Sequence, residues 1–340
     1  MPSPGSEPML EVDGLKVSFT TREGARQVVR GIDLAVAPGE VVGIVGESGS
    51  GKSTTALAIA DLLPRTARVE AASLRVAGHD IMGADARSRR RILGRNIGFV
   101  FQDPSTSLDP TMTVGEQVAG PLRLHLGLSG AALRDKVIET MTQAGLADAV
   151  TLAGRYPHQL SGGQRQRVMI AIAISCTPSL LIADEPTTAL DVTIQAEILD
   201  LFARLRVELG VAVVFVSHDL AVIGELADRV CVLYAGRLVE LGAARDVLDR
   251  PQHPYSAALV ECAPWLGRGR GPLRVIDGSP PGPGHPDIGC AFRPRCEHAT
   301  AECAAVRPEL RPVATQLVAC HHAGAPHATQ VVSVPTRRLP

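Results

Sequence analysis

Along this chain the spacing of apolar and polar residues changes period from block to block. LEVDGLKVSF, from Leu10, alternates with period two and gives way to the turn-rich TREGAR; VVRGIDLAV then runs into the turn signal Pro38-Gly39. VVGIV at Val41 to Val45 is apolar throughout, as expected of a strand buried on both faces. A Gly-rich turn leads from it into Thr54 to Leu63, a helix predicted to stop at Pro64. Short apolar runs at Ile97 to Phe101, Leu180 to Ala183, Val211 to Val216 and Val230 to Tyr234 predict further strands. Between the first two of these, Val114 to Gly154 has helical spacing and few β-branched runs. Strands alternating with helices predict an α/β domain with a mostly parallel sheet.

The pattern shifts near Pro264, and from that residue onward lie 12 of the 25 prolines and four of the seven cysteines. The expected division is a flexible N-terminus at 1–9, one large domain at 10–262, a Pro/Cys-rich extension at 263–322 and a disordered tail at 323–340. With 45% hydrophobic residues the 340-residue chain can bury a large core, and a net charge of -1 argues against bulk electrostatic binding of nucleic acid. The longest uncharged apolar stretch, Val168 to Ala183, is shorter than the ~20 residues of a membrane span and contains Pro178. No secretory signal opens the chain, and seven cysteines do not make a disulfide scaffold, so a cytosolic protein is expected.

GESGSGKS, Gly46 to Ser53, fits the phosphate-binding pattern G-x-x-x-x-G-K-[ST] between a predicted strand and helix. Its glycines let backbone N–H groups wrap an anion, Lys52 supplies a compact positive charge, and the Ser53 hydroxyl can ligate Mg²⁺. LLIADEP, Leu180 to Pro186, brings Asp184 and Glu185 to the carboxyl end of a strand, where α/β sheets bind ligands. Asp184 is expected to hold Mg²⁺ and Glu185 to polarise an attacking water. In LSGGQRQR, Leu160 to Arg167, Ser161 has the chemistry of a helix N-cap, and Gly162 and Gly163 allow a phosphate close to the backbone.

With these three motifs the chain resembles the ATP-binding-cassette ATPases, a P-loop fold with a RecA-like core, an antiparallel β subdomain and a helical subdomain, here at about 103–160. The resemblance spans about residues 10–262 and supplies further positions. Gln102 in VFQDP matches the Q-loop glutamine, His218 in VFVSHDL the switch histidine, Thr188 to Asp191 the D-loop, and Phe19 the aromatic ring that stacks on adenine. It implies that ATP is held by Phe19 with Gly46, Glu47, Ser48, Gly49, Ser50, Gly51, Lys52, Ser53 and Thr54. Ser161, Gly162, Gly163, Gln164 and Asp191 would act in trans on the site of a second cassette. Mg²⁺ would be held by Ser53, Gln102 and Asp184, with Glu185, His218 and Gln102 serving hydrolysis.

Longer segments, VFQDPSTSLDPTMTVGEQ, DEPTTALDVTIQAEIL and HPYSAAL, are similar to the peptide/nickel importer branch, although the branch usually has Asn where this chain has Asp109. That likeness implies a bacterial importer of oligopeptides or dipeptides, with nickel or another small solute as the alternative. The partners would be a second ATPase, two transmembrane permeases and, indirectly, an extracytoplasmic binding protein. The ATPase would sit on the cytoplasmic face of the inner membrane. DNA-acting cassettes carry long coiled coils between P-loop and signature, and the gap from Ser53 to Leu160 has no extended heptad run.

Cys290, Cys296, Cys303 and Cys320 gather in the extension, and four thiolates suit tetrahedral Zn²⁺ or a [4Fe–4S] cluster. Their spacing fits neither the paired CxxC zinc pattern nor the ferredoxin run. The resemblance favours iron–sulfur, with zinc as the alternative and His321 or His322 as substitute ligands. Cys176, Cys231 and Cys262 read as packing residues.

Overall fold

The computed structural model describes residues 7–22, 24–188, 190–263, 275–282 and 285–324. The expected loose N-terminus (except residues 7–9), the junction at 264–271 and the tail beyond 324 lie outside the described residues. Strands β1 (Leu10–Thr21) and β2 (Gly24–Val36) form the predicted antiparallel pair. β3 (Val41–Val45) belongs to a different sheet, whereas β4 (Ala67–Glu70) and β5 (Ser73–Val76) pair with β1, and β6 (His79–Asp80) with β5.

Around β3 a second, eight-stranded sheet is built. To β3 it adds β7 (Ile97–Val100), β8 (Leu180–Asp184), β9 (Ala212–Val216), β10 (Arg229–Tyr234), β11 (Arg237–Ala243), β12 (Arg311–Val313) and β13 (Gln316–Val318), in the order β12-β13-β11-β10-β3-β9-β8-β7. From β10 to β7 all neighbours are parallel. β3, β8 and β9 are buried along their whole length, which explains why they read as unbroken apolar runs.

Because side chains alternate across a strand, the central sheet feeds two cores. Val41 and Val45 point into one, with Leu181, Val213 and Phe215 and the helices beyond them; Val42 and Ile44 point into the other, with Leu180, Ile182 and Val214 and the antiparallel sheet. The P-loop helix, Lys52–Ile59, ends earlier than its composition predicts. Asp61 adopts φ 56°, a left-handed conformation that Asp tolerates through its short polar side chain, and the turn closes before Pro64. The helical stretch after Val114 is divided by glycines into Val114–Leu126, Gly130–Gln143 and Ala149–Ala153. Gly127, at φ 67°, closes the first of these, while a Thr113–Glu116 capping box opens it.

The extension does not form a separate lobe. β13 pairs with β11 through Glu240↔Val318 and Leu241↔Leu317, so it continues the central sheet. Glu240 is completely buried, accepts the N–H groups of Gln252 and His253, and is pushed by burial up to about 7. A carboxyl whose pKa is higher folded than unfolded stabilises most below its unfolded value near 4.5, and that contribution is lost as pH rises to about 7. The stability of the wild-type protein relative to Glu240→Gln is therefore expected to fall by about 3 kcal/mol between pH 4.5 and 8. Urea midpoints of the two proteins across that range check it, since every other titrating group is common to both; parallel curves would count against it.

Candidate functional site

The chain must turn sharply after β3 to enter the helix at Lys52, and only glycine fits where it does so. Gly46 has φ 151°, and a Cβ on it would stand 2.3 Å from the carbonyl oxygen of Leu233. Gly51, at φ 100°, is the N-cap of the helix. The loop so formed opens on a cavity of about 330 Å³ lined by Ser48, Gly49, Gly51, Lys52, Ser53 and Thr54, with Val28, Gln102, Glu185 and His218 opposite. Lys52 is 4% exposed, and its ammonium donates to the carbonyls of Gly46 at 2.7 Å and Glu47 at 3.1 Å. Burial lowers its pKa, against the pull of Glu185, Asp184 and Glu47.

β8 delivers the two acids. The Ser53 hydroxyl donates to Asp184 Oδ1 at 2.8 Å, and burial raises the Asp184 carboxyl above its usual range. A hydroxyl beside a desolvated carboxylate is a donor set that suits a small, hard cation such as Mg²⁺, whose charge would relieve that burial. Glu185 follows in a left-handed conformation, φ 48°, unusual for a non-glycine residue. Its amide donates to the Val216 carbonyl at 2.9 Å, which ties the acid to the end of β9. Three groups converge on Glu185 Oε2: Gln102 Nε2 at 3.1 Å, the Thr188 hydroxyl at 3.1 Å and His218 Nδ1 at 3.2 Å. Gln102, Glu185 and His218, 116 residues apart along the sequence from first to last, thus meet at the cavity wall.

Other expected residues lie elsewhere. Ser161 caps the helix Gly162–Ile174 in a box with Gln164, and Asp191 caps Val192–Leu209 by accepting the Ile194 N–H at 2.9 Å. Neither helix start lines the cavity of its own chain, nor does Phe19, which sits half-buried on β1. Ser50 is buried, and Glu47 turns away from the cavity towards the extension.

A protein of Brucella ovis described as a peptide import ATP-binding protein is 47% identical over 319 residues, which cover 90% of this chain and 94% of that one. The dipeptide transport ATP-binding protein DppD of Haemophilus influenzae is 43% identical over 92% of this chain and 95% of its own. This chain belongs to the ABC transporter family. The ABC transporter model matches residues 29–188 of the cassette, and the model of the oligopeptide/dipeptide transporter C-terminal region matches 239–303. Among solved structures, the dimeric cassette MJ0796 bound to ADP and Pi superimposes with a TM-score of 0.63 at 32% identity, covering 70% of this chain and 99% of that one. The cassette cbiO1 of Clostridium perfringens, part of the complex cbiONQ, gives 0.60 at 28% identity, over 72% and 92%.

The matched C-terminal region of this ABC protein contains His253-Pro254-Tyr255, and its local physics is legible. His253 caps the helix Pro254–Cys262 by accepting the Tyr255 N–H, Pro254 occupies the first turn, and the buried Tyr255 hydroxyl accepts the Glu47 N–H at 2.8 Å. The sequence picks out this tripeptide but not its target in the P-loop.

The four extension cysteines converge on a single small cavity of about 10 Å³, shared with His321 and His322. Cys303 Sγ lies 3.6 Å from His322 Nε2, and the His322 N–H donates to Cys320 Sγ at 3.4 Å. Burial, and then the neighbouring thiols, push Cys290, Cys296 and Cys320 upward. Among the described residues no group of three or more His, Cys, Asp or Glu is arranged to hold a metal ion. As they stand, the thiols surround room for about one small ion or water and do not form the expected ligand set. Cys231 is a packing residue, buried and pushed up to about 12.

Proposed function

We propose that the chain is the ATP-hydrolysing subunit of a bacterial importer of oligopeptides or dipeptides. The observation that carries this is the pairing of the Glu185–His218–Gln102 cluster on the P-loop cavity with a C-terminal region of the oligopeptide/dipeptide transporter type. In this reading Lys52 and the loop amides bind the phosphates of ATP, and Glu185 orients and deprotonates the attacking water. His218 and Gln102 hold Glu185 through the oxygen they share. Mg²⁺, held by Ser53, Asp184 and Gln102, would neutralise charge on the phosphates. Ser161, Gly162, Gly163, Gln164 and Asp191 serve the site of a second cassette. Their standing outside the cavity of their own chain supports this, as does the dimeric form of MJ0796.

No helix among the described residues is long and apolar enough to cross a membrane, so transport requires permease partners at the cytoplasmic face. The finer reading of the cysteines, a [4Fe–4S] cluster with Zn²⁺ as the alternative, is supported by four thiols lining one small cavity and by resemblance to the importer branch. One preparation tests both readings. Tagged Glu185→Gln protein, locked with Mg–ATP and purified anaerobically from native membranes, is expected to bring down two multi-span permeases and a second cassette. The preparation should also contain about four irons per chain and absorb broadly near ~400 nm. A soluble or empty catch would sink the transport reading, and a preparation without iron the cluster.

A further inference from the structure

Glu47, the second residue of the P-loop, has its N–H and its carboxylate committed to the C-terminal part of the chain. Its N–H donates to the Tyr255 hydroxyl at 2.8 Å. Its carboxylate receives both terminal nitrogens of Arg295, at 2.6 and 2.9 Å, a bidentate pair that fixes orientation as well as charge. The Arg295 side chain is 3% exposed, and its remaining donors are spent. Nε donates to the Asp277 carbonyl at 2.8 Å and Nη2 to the Ile276 carbonyl at 3.1 Å, while the guanidinium lies 5.9 Å from the ring centres of Tyr234 and Phe292. Tyr234, Tyr255 and Phe292 pack together with ring centres 4.5–5.3 Å apart. The guanidinium therefore rests on an aromatic platform made by the central sheet, the His253-Pro254-Tyr255 helix and the extension.

A carboxylate beside a loop that binds polyphosphate is electrostatically unfavourable, because an unpaired Glu47 would repel the ligand at close range. An arginine buried this deeply is costly to desolvate unless it is fully paired, and Glu47 is its one carboxylate partner among the described residues. We propose that the C-terminal segment is a positioning arm of the nucleotide site. Arg295 cancels the charge of Glu47 and, with Tyr255, fixes the first turn of the P-loop, so nucleotide affinity depends on the arm being docked. By linkage, bound nucleotide also tightens the arm. Since Arg295 directly precedes Cys296, a displacement of that cysteine moves the arginine with it. The inference rests on the P-loop being the nucleotide site.

Its test uses the full-length chain titrated with Mg–AMP-PNP in a calorimeter. Arg295→Gln keeps much of the stem over the rings but leaves Glu47 unpaired, and is expected to weaken binding about tenfold. The double variant Glu47→Gln/Arg295→Gln carries no stray charge and is expected to return to within about threefold of wild type. A packing defect alone would leave the double variant as weak as the single one. In parallel, Mg–AMP-PNP should slow deuterium exchange over residues 290–298 in the wild-type protein, and Glu47→Gln should abolish that slowing. This second measurement needs no change at Arg295, so it decides the matter whatever Arg295→Gln does to folding. Equal affinity of Arg295→Gln and wild type, a double variant no better than the single, or unaltered slowing in Glu47→Gln each overturns the arm. No binding by the wild-type chain would instead overturn the nucleotide reading.

Discussion

Glu185→Gln is expected to lower ATP turnover by about 10³-fold while leaving Mg–ATP bound with near wild-type affinity. The side chain follows β8 in a left-handed conformation, its acid end is 14% exposed, and Oε2 is the common acceptor of Gln102, Thr188 and His218. An amide has the same shape and can still accept from Thr188, so the loop keeps its course. What it lacks is a basic oxygen to take a proton from water, which on the proposed mechanism is needed in the transition state and not in the ground state. The loss should therefore fall on kcat. Steady-state ATPase assays and calorimetric titration of the same preparation separate the two quantities. Turnover within about tenfold of wild type would place the base elsewhere.

The parts of this site that were legible in the sequence are those fixed by local geometry. GESGSGKS announces itself because a phosphate cradle needs glycine at Gly46, where a side chain would strike the Leu233 carbonyl, and because a strand and a helix flank it. Asp184 and Glu185 could be placed since an apolar run ending in two acids sets them at a strand's carboxyl end. That Gln102 and His218 meet Glu185 came from resemblance, as nothing in the spacing of residues 102, 185 and 218 requires them to converge. Long-range pairing was harder to read. β12 and β13 are three residues each, too short and too polar to register as strands, yet they add to the edge of β11. Nothing in the sequence around Arg295 points to Glu47, 248 residues away, and only the fold brings the two together. Nor does the sequence show that Glu240 is buried, because a single acid in LVELG reads as a solvent-facing strand position. The cysteines stand out as a group in the sequence, and the structure gathers them around one small cavity.

Lys52→Ala is expected to weaken Mg–ATP binding by about 100- to 1,000-fold with little change in fold stability. The ammonium is the cation at the centre of the site, and it is nearly withdrawn from water, so its field is only weakly screened. It stands among three carboxylates, Glu185, Asp184 and Glu47, each of which pulls its pKa up against the burial that lowers it. Glu47 is answered by Arg295, but among the described residues Asp184 and Glu185 have no such partner in the extension. Without Lys52 the phosphates would approach these two carboxylates unopposed, and the Asp184 carboxyl, already raised by burial, would rise further. The fold should tolerate the change for the same reason that the lysine is expensive: burying its ammonium costs desolvation that alanine does not incur. Lys52→Arg is expected to rescue little, because a planar fork cannot reach both carbonyls from a site shaped for a compact ammonium. Filter binding of labelled ATP, with thermal unfolding of the same samples, decides it. Affinity within about threefold of wild type would show that the loop amides, not the charge, dominate phosphate binding in this cassette.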